Sequence, residues 1–169
     1  VRIAAEQALG SQASPVIVVT GHEREQVERA LDGLSVRFVH NPDFADGLGS
    51  SLKAGIAAVP AGADGAIVCL GDMPQVDSVL IDKLIDAFDP DSGALVVVPS
   101  IDGRRGNPVV WARRFFNDLM SIRGDFGARY LIGSYAEAVV EVPLTGDAAL
   151  IDVDTPESLS AVKAEIERA

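Results

Sequence analysis

A single cysteine and two histidines leave this chain of 169 residues unable to staple itself internally with a disulfide, and give it little with which to build a zinc site. Cys69 lies in the apolar run AIVCL and reads as a small buried core residue. His22 and His40 stand at no metal-ligand spacing from it or from each other. Basic residues are also scarce, 14 Lys and Arg against 25 Asp and Glu, for a formal net charge of -11. That balance argues against a nucleic-acid partner, because affinity for a phosphate backbone needs clustered cations that release counterions. No apolar run approaches the roughly 20 residues that cross a bilayer, and no basic segment followed by a continuous hydrophobic stretch opens the chain. The expectation is a soluble, cytoplasmic protein without a membrane partner.

An acidic chain can still bind one nucleotide if carboxylates recruit a divalent cation that offsets the triphosphate charge. Positioned aspartates are therefore the residues to find. With 48% hydrophobic residues the chain is long enough for one compact domain, and no repeat or linker divides it. Runs rich in Val, Ile and Leu recur at 15–20, 36–39, 66–71, 94–99, 108–112 and 138–142, and read as buried strands. Between them, Val27 with Leu31, Leu52 with Ile56 and Val59, and Leu80 with Leu84 and Phe88 repeat at helical spacing. Alternating strands and helices predict a three-layer α/β/α sandwich with a mainly parallel, Rossmann-like sheet. Such sheets place ligands beyond the carboxyl ends of their strands. Val1 to Leu9 reads as the middle of a helix with no strand before it, so the chain is expected to begin part-way into a domain. A last helix is expected from Thr155, with Pro156 at its first position and Val162 and Ile166 on its apolar face.

Three segments can carry chemistry. In Ala66 to Pro74, AIVCLGDMP, an apolar strand ends at Gly71 and presents Asp72, a carboxylate placed to bridge Mg²⁺ to phosphate oxygens. Gly71 would allow close backbone approach there. A plain strand, Gly-Asp turn and proline is the alternative. In Asn41 to Leu52, a glycine-containing loop runs into a helix, where exposed N–H groups and the Ser50 and Ser51 hydroxyls can meet phosphate or a base edge. The same pattern also fits an ordinary serine N-cap. In LIDVDTPES, Asp152 and Asp154 project to one side of an extended segment, and either can be a second metal ligand opposite Asp72; Asp154 can equally serve to cap the last helix. Two further loops are secondary candidates: Arg104 and Arg105 can reach a phosphate-bearing substrate or form a solvated turn, and Asp125 can cap a short helix that has Arg129 in its first turn.

In order along the chain, Val19-Thr20-Gly21, Asn41-Pro42, Gly47-Leu48-Gly49-Ser50-Ser51-Leu52, Leu70-Gly71-Asp72-Met73-Pro74, Gly106-Asn107-Pro108, Gly124 to Arg129 and Asp152 to Glu157 resemble the MobA-like nucleotidyltransferase superfamily. Within it the chain is most similar to the molybdenum-cofactor cytidylyltransferase branch. The resemblance spans nearly the whole chain as a single domain of nucleotide-diphospho-sugar transferase-like fold. It departs in two places: nothing at Val1 to Gly10 matches the strand and Leu-Ala-Ala-Gly signature loop with which the family opens, and Asn107 stands where the branch usually has histidine.

That resemblance implies transfer of CMP from CTP, or GMP from GTP in sister branches, to the terminal phosphate of a molybdopterin-type acceptor, with release of pyrophosphate and for the benefit of a molybdoenzyme partner. It implies Mg²⁺ held by Asp72 with Asp152 or Asp154. It places Asn41, Gly49, Ser50, Ser51 and Leu52 by the base and ribose, Gly71 beside the metal carboxylate, and Arg129 on the acceptor side as a phosphate contact. A sugar phosphate or other phosphorylated acceptor is the alternative enzyme reading. A non-catalytic factor that binds or inserts a nucleotide-bearing cofactor is the alternative of a different class.

Overall fold

The computed structural model describes residues 1–122 and 128–153. In chain order the elements are α1 (Arg2–Leu9), β1 (Ile17–Thr20), α2 (Arg24–Ala30), β2 (Arg37–His40), α3 (Leu48–Ala57), β3 (Gly65–Val68), α4 (Ser78–Asp86), β4 (Val96–Ile101), β5 (Arg104–Arg105), β6 (Val109–Ala112), α5 (Phe116–Ser121), α6 (Arg129–Ser134) and β7 (Val139–Pro143). All six strands expected from the apolar runs are present. The helix expected from Thr155 and the Gly124 to Gly127 loop lie outside the described residues.

Successive strand residues point to opposite faces, and the core follows that rule. On β4, Val96 and Val98 join Trp111 of β6 in a cluster closed by Ile56 of α3, Phe116 and Leu119 of α5, and Leu131 of α6. Val97, between them, faces the other way and packs with Val110, Val142 and Leu84 of α4. Helices therefore cover both faces, which makes the three layers. On the α4 side, Met73, Val76 and Ile81 extend the core toward Ala8 of α1. The start of α4 is fixed by Asp77, whose carboxylate accepts the Leu80 N–H at 2.7 Å, a side-chain cap of the kind that stabilises a helix by about 1 kcal/mol.

The sheet is not mainly parallel as expected. β1 and β2 form a parallel pair of their own, while the larger sheet runs β3-β6-β4-β5 with β7 on β4. In it β6 is antiparallel to both β3 and β4, β5 is antiparallel to β4, and only β4 and β7 pair in parallel. The physical reason is a two-residue hairpin: Ile101 pairs with Arg104 across Asp102 and Gly103, whose φ values are +50° and +77°. Positive φ at both central positions is the turn that matches strand twist and reverses the chain, and Asp-Gly is its favoured sequence. Among the described residues, β1 and β3 each keep one ladder edge without a strand partner.

Cys69 is also not the core residue expected of it. The strand stops at Val68, and Cys69, just beyond, is exposed. Its other side is crowded by apolar neighbours including Met73, Ile81 and Pro108 around a small cavity, and burial pushes the thiol up to about 12. No helix among the described residues is long and apolar enough to cross a membrane.

Candidate functional site

The chain leaves β3 at Val68 and reaches Asp72 through a short exposed turn, so the carboxylate stands in water just past the strand's carboxyl end. Gly71 is not compelled by sterics here: a Cβ on it would meet only the Val1 side chain, at an ordinary 3.6 Å. The more informative contact is on the next residue. The Val153 N–H donates to the Asp72 carbonyl at 2.8 Å, tying the segment that carries Asp152 to the turn that carries Asp72. Asp152 is exposed like Asp72. The two acidic segments are thus joined by a backbone contact. Asp154 lies outside the described residues.

That segment is held from its other side as well. The Asn107 N–H donates to the Ala149 carbonyl at 3.0 Å, and Gly106 lies so close to Ala149 that a Cβ on it would collide with the Ala149 carbonyl oxygen. The Gly106-Asn107-Pro108 turn that feeds β6 therefore braces the strand of chain leading to Asp152.

A second group forms at the carboxyl end of β2. Asn41 extends the β1–β2 ladder by donating its N–H to the Thr20 carbonyl at 2.8 Å, and its side chain is buried. Asn41 Nδ2 donates to Ser50 Oγ at 2.8 Å and to Ser51 Oγ at 3.1 Å, while Asn41 Oδ1 accepts the Asp43 N–H at 3.1 Å. Ser50 Oγ in turn lies 2.8 Å from the Asp43 and Gly47 carbonyls. The result is a closed knot that fixes the loop against the helix. α3 begins at Leu48 rather than at Leu52, after Gly47 turns the chain with φ +94°, and no side chain caps it. Ser50 and Ser51 are therefore inside its first turn, Gly49 is buried, and Leu52 packs into the core. Among the described residues no hydrogen bond or ion pair joins this group to Asp72 or Asp152.

The arginine expectations resolve unevenly. Arg105 on β5 donates to Glu141 of β7 at 2.8 Å and holds that carboxyl below its ordinary range, while Arg104 has no ion pair among the described residues. Arg129 opens α6, and its side chain lies outside the described residues.

Asp72 and Asp152 are hard oxygen donors open to water, the donor type that suits Mg²⁺ or Mn²⁺. Among the described residues no group of three or more His, Cys, Asp or Glu side chains converges on one point. One or two carboxylates completed by substrate phosphates is how Mg²⁺ is usually held, so the residues present fit a cation that arrives with a nucleotide. Phe44, an aromatic in an otherwise polar loop, lies with its side chain against Gly21.

A model of the MobA-like NTP transferase domain matches residues 1–139. The chain belongs to that family. It is 34% identical over 125 residues to the purine catabolism protein PucB of Bacillus subtilis, covering 72% of this chain but only 58% of PucB's length. The molybdenum cofactor cytidylyltransferase of Escherichia coli is 26% identical over 89% of this chain and 74% of its own. Nicotine blue oxidoreductase of Paenarthrobacter nicotinovorans is 28% identical over 92% and 78%. Among solved structures, Rv0371c of Mycobacterium tuberculosis in complex with manganese superposes with a TM-score of 0.76 at 26% identity, over 95% of this chain and 83% of that one. A nucleotidyl transferase of a Methanothermobacter species gives 0.83 at 22% identity over 98% and 79%, a likeness of fold.

Proposed function

We propose that this MobA-like domain transfers a nucleoside monophosphate, CMP from CTP or GMP from GTP, to the terminal phosphate of a molybdopterin-type acceptor. The observation that carries the reading is the Val153-to-Asp72 hydrogen bond, which sets two acidic segments side by side at the end of β3. In the reaction an acceptor phosphate oxygen forms a bond to the α-phosphorus. The bond from that phosphorus to the α–β bridging oxygen breaks, and pyrophosphate leaves with the electron pair. Asp72 and Asp152 would hold Mg²⁺, or Mn²⁺ as in the manganese complex of Rv0371c, and the cation supplies charge stabilisation to the triphosphate. The chain's own part is to align two anions that repel each other, which is where positioning contributes most. The Asn41 knot fixes the start of α3, whose first N–H groups are suited to an anionic or polar ligand. A Mg²⁺-dependent nucleotidyltransferase working for a molybdoenzyme partner in the cytoplasm is the full form of this reading.

The test is pyrophosphate release from CTP or GTP in the presence of molybdopterin and Mg²⁺. Release with one of them supports the proposal; none with either nucleotide sinks it. A different phosphorylated acceptor, such as a sugar phosphate, is the alternative enzyme reading. Pyrophosphate release with sugar phosphates in place of molybdopterin separates these two. Tight cofactor binding without turnover would point instead to a binding or insertion factor.

A further inference from the structure

The amino ends of β1 and β2, at the other end of their ladder from Asn41, border a cleft of about 470 Å³. That volume lies within the roughly 300–1,000 Å³ typical of small-molecule sites. Three short stretches build it: the end of α1, the linker into β1, and the residues entering β2. The linker is fixed from within and from α4. Ser11 Oγ donates to the Ala8 carbonyl at 2.7 Å and accepts the Ala13 N–H at 3.2 Å, while Gln12 donates through its backbone to Asp82 and through its side chain to Asp86. The Arg37 N–H donates to the Val16 carbonyl at 2.9 Å, which seats the entry to β2 beside it.

The chemistry of the lining sets this cleft apart in a chain of net charge -11. No Asp or Glu lines it, and Asp82 and Asp86 are engaged by Gln12 outside it. Leu9, Pro15 and Val36 supply an apolar wall; Ser14, Ser35 and Arg37 supply the polar groups. The Arg37 guanidinium has neither a hydrogen bond nor an ion pair, and the Ser14 and Ser35 hydroxyls are likewise without partners among the described residues. A planar guanidinium presents two parallel N–H groups to an oxyanion, and two hydroxyls beside it suit the three terminal oxygens of a phosphate better than the two of a carboxylate.

We propose that this cleft is a second ligand site, which takes a small phosphate monoester with an apolar body. Arg37 meets the phosphate, and Leu9, Pro15 and Val36 cover the body. The site does not depend on the nucleotidyltransferase reading, and Asp72 and Asp152 do not line it.

The experiment is a titration of the nitrogen-15-labelled chain with phenyl phosphate, benzoate and inorganic phosphate, each with EDTA to keep cations from the aspartates. The expected result is that phenyl phosphate shifts the amide signals of Ser14, Val16, Ser35 and Arg37 with a dissociation constant of about 1 mM or below. Inorganic phosphate and benzoate should each bind more weakly, the first for want of an apolar body and the second for want of a third oxygen. Arg37→Gln should weaken phenyl phosphate binding about tenfold, with Arg37→Lys between it and the wild type because a lysine keeps the charge without the fork. Both side chains are exposed, and circular dichroism checks that each variant is folded. Shifts confined to residues outside the cleft, no shift at all, or undiminished binding in Arg37→Gln overturns the site. Benzoate binding as tightly as phenyl phosphate overturns the assignment to a phosphate ester.

Discussion

The amide of Val153 and the carbonyl of Asp72 are joined at 2.8 Å, and the bond uses backbone atoms only. Each aspartate side chain of this neighbourhood is therefore free to be changed without cutting the link that brings the segments together. Asp72→Asn and Asp152→Asn should both stay folded by circular dichroism. Asp72→Asn should lower pyrophosphate release about a hundredfold or more, since a cation's charge stabilisation amounts to several kcal/mol. Chelation by EDTA should do the same to the wild type, with recovery on adding Mg²⁺ or Mn²⁺. Undiminished turnover in Asp72→Asn would remove the metal assignment.

Gly106→Ala probes the same link from behind. The new methyl group would meet the Ala149 carbonyl, which is backbone and has no side-chain freedom to yield. Either the hairpin or the segment 149–153 must move, and with the latter goes the position of Asp152. A loss of about 1–3 kcal/mol in urea unfolding, together with weaker Mn²⁺ binding, is the expected outcome. Full stability and metal affinity in the variant would show that the contact carries no strain.

Thr20 is enclosed at the carboxyl end of β1, and its hydroxyl has no hydrogen-bond partner among the described residues. A buried hydroxyl left unpaired costs about 1–3 kcal/mol. Thr20→Val keeps the shape and removes the orphan, so this variant should be as stable as the wild type or more so, by up to about 2 kcal/mol. A clear fall in its urea midpoint would mean that the hydroxyl has a partner in solution.

Cys69 titrates far from the ordinary thiol value of 9.0 because burial disfavours the thiolate, pushing it up to about 12. The unfolded chain ionises first as pH rises, so the thiol's contribution to stability is intact below about pH 9 and declines from there toward pH 12. Alkylation by iodoacetamide at pH 8 should accordingly be at least about tenfold slower than for free glutathione, despite the exposed surface, and should accelerate up to strongly alkaline pH. Reaction at the glutathione rate would show that the thiol is solvated.

The contrast between what the sequence disclosed and what it withheld is instructive at particular residues. Leu80 and Leu84 announced α4 because a long helix repeats its apolar positions often enough to show a period. α5, Phe116–Ser121, has six residues and no such repeat. β6 is buried along its whole length, so Val109 to Ala112 shows no alternation, and nothing in the strand itself reveals its direction. The direction was written one turn earlier, in Asp102-Gly103, whose backbone preference forces the reversal. Cys69 was misplaced because an apolar run continues past the last ladder residue. The 152–154 segment stood out in the sequence because two aspartates flank Val153, but its backbone bond to Asp72 and the inward turn of Asn41 required coordinates.

The two ladder edges that β1 and β3 leave without a strand partner among the described residues differ in chemistry from the outer edge of β2. β2, at the outer side of its pair, exposes Arg37 and His40, polar groups of the kind that discourage another chain from adding on. The edges of Ile17-Val18-Val19-Thr20 and Gly65-Ala66-Ile67-Val68 carry no charge at all and are rich in residues that favour extended pairing. Among the described residues no strand takes up the backbone groups along either edge. A strand that adds to either edge, whether it comes from this protein or from a second copy, meets uncharged residues that favour extended pairing, so these two edges, and not that of β2, are where a further strand is accepted.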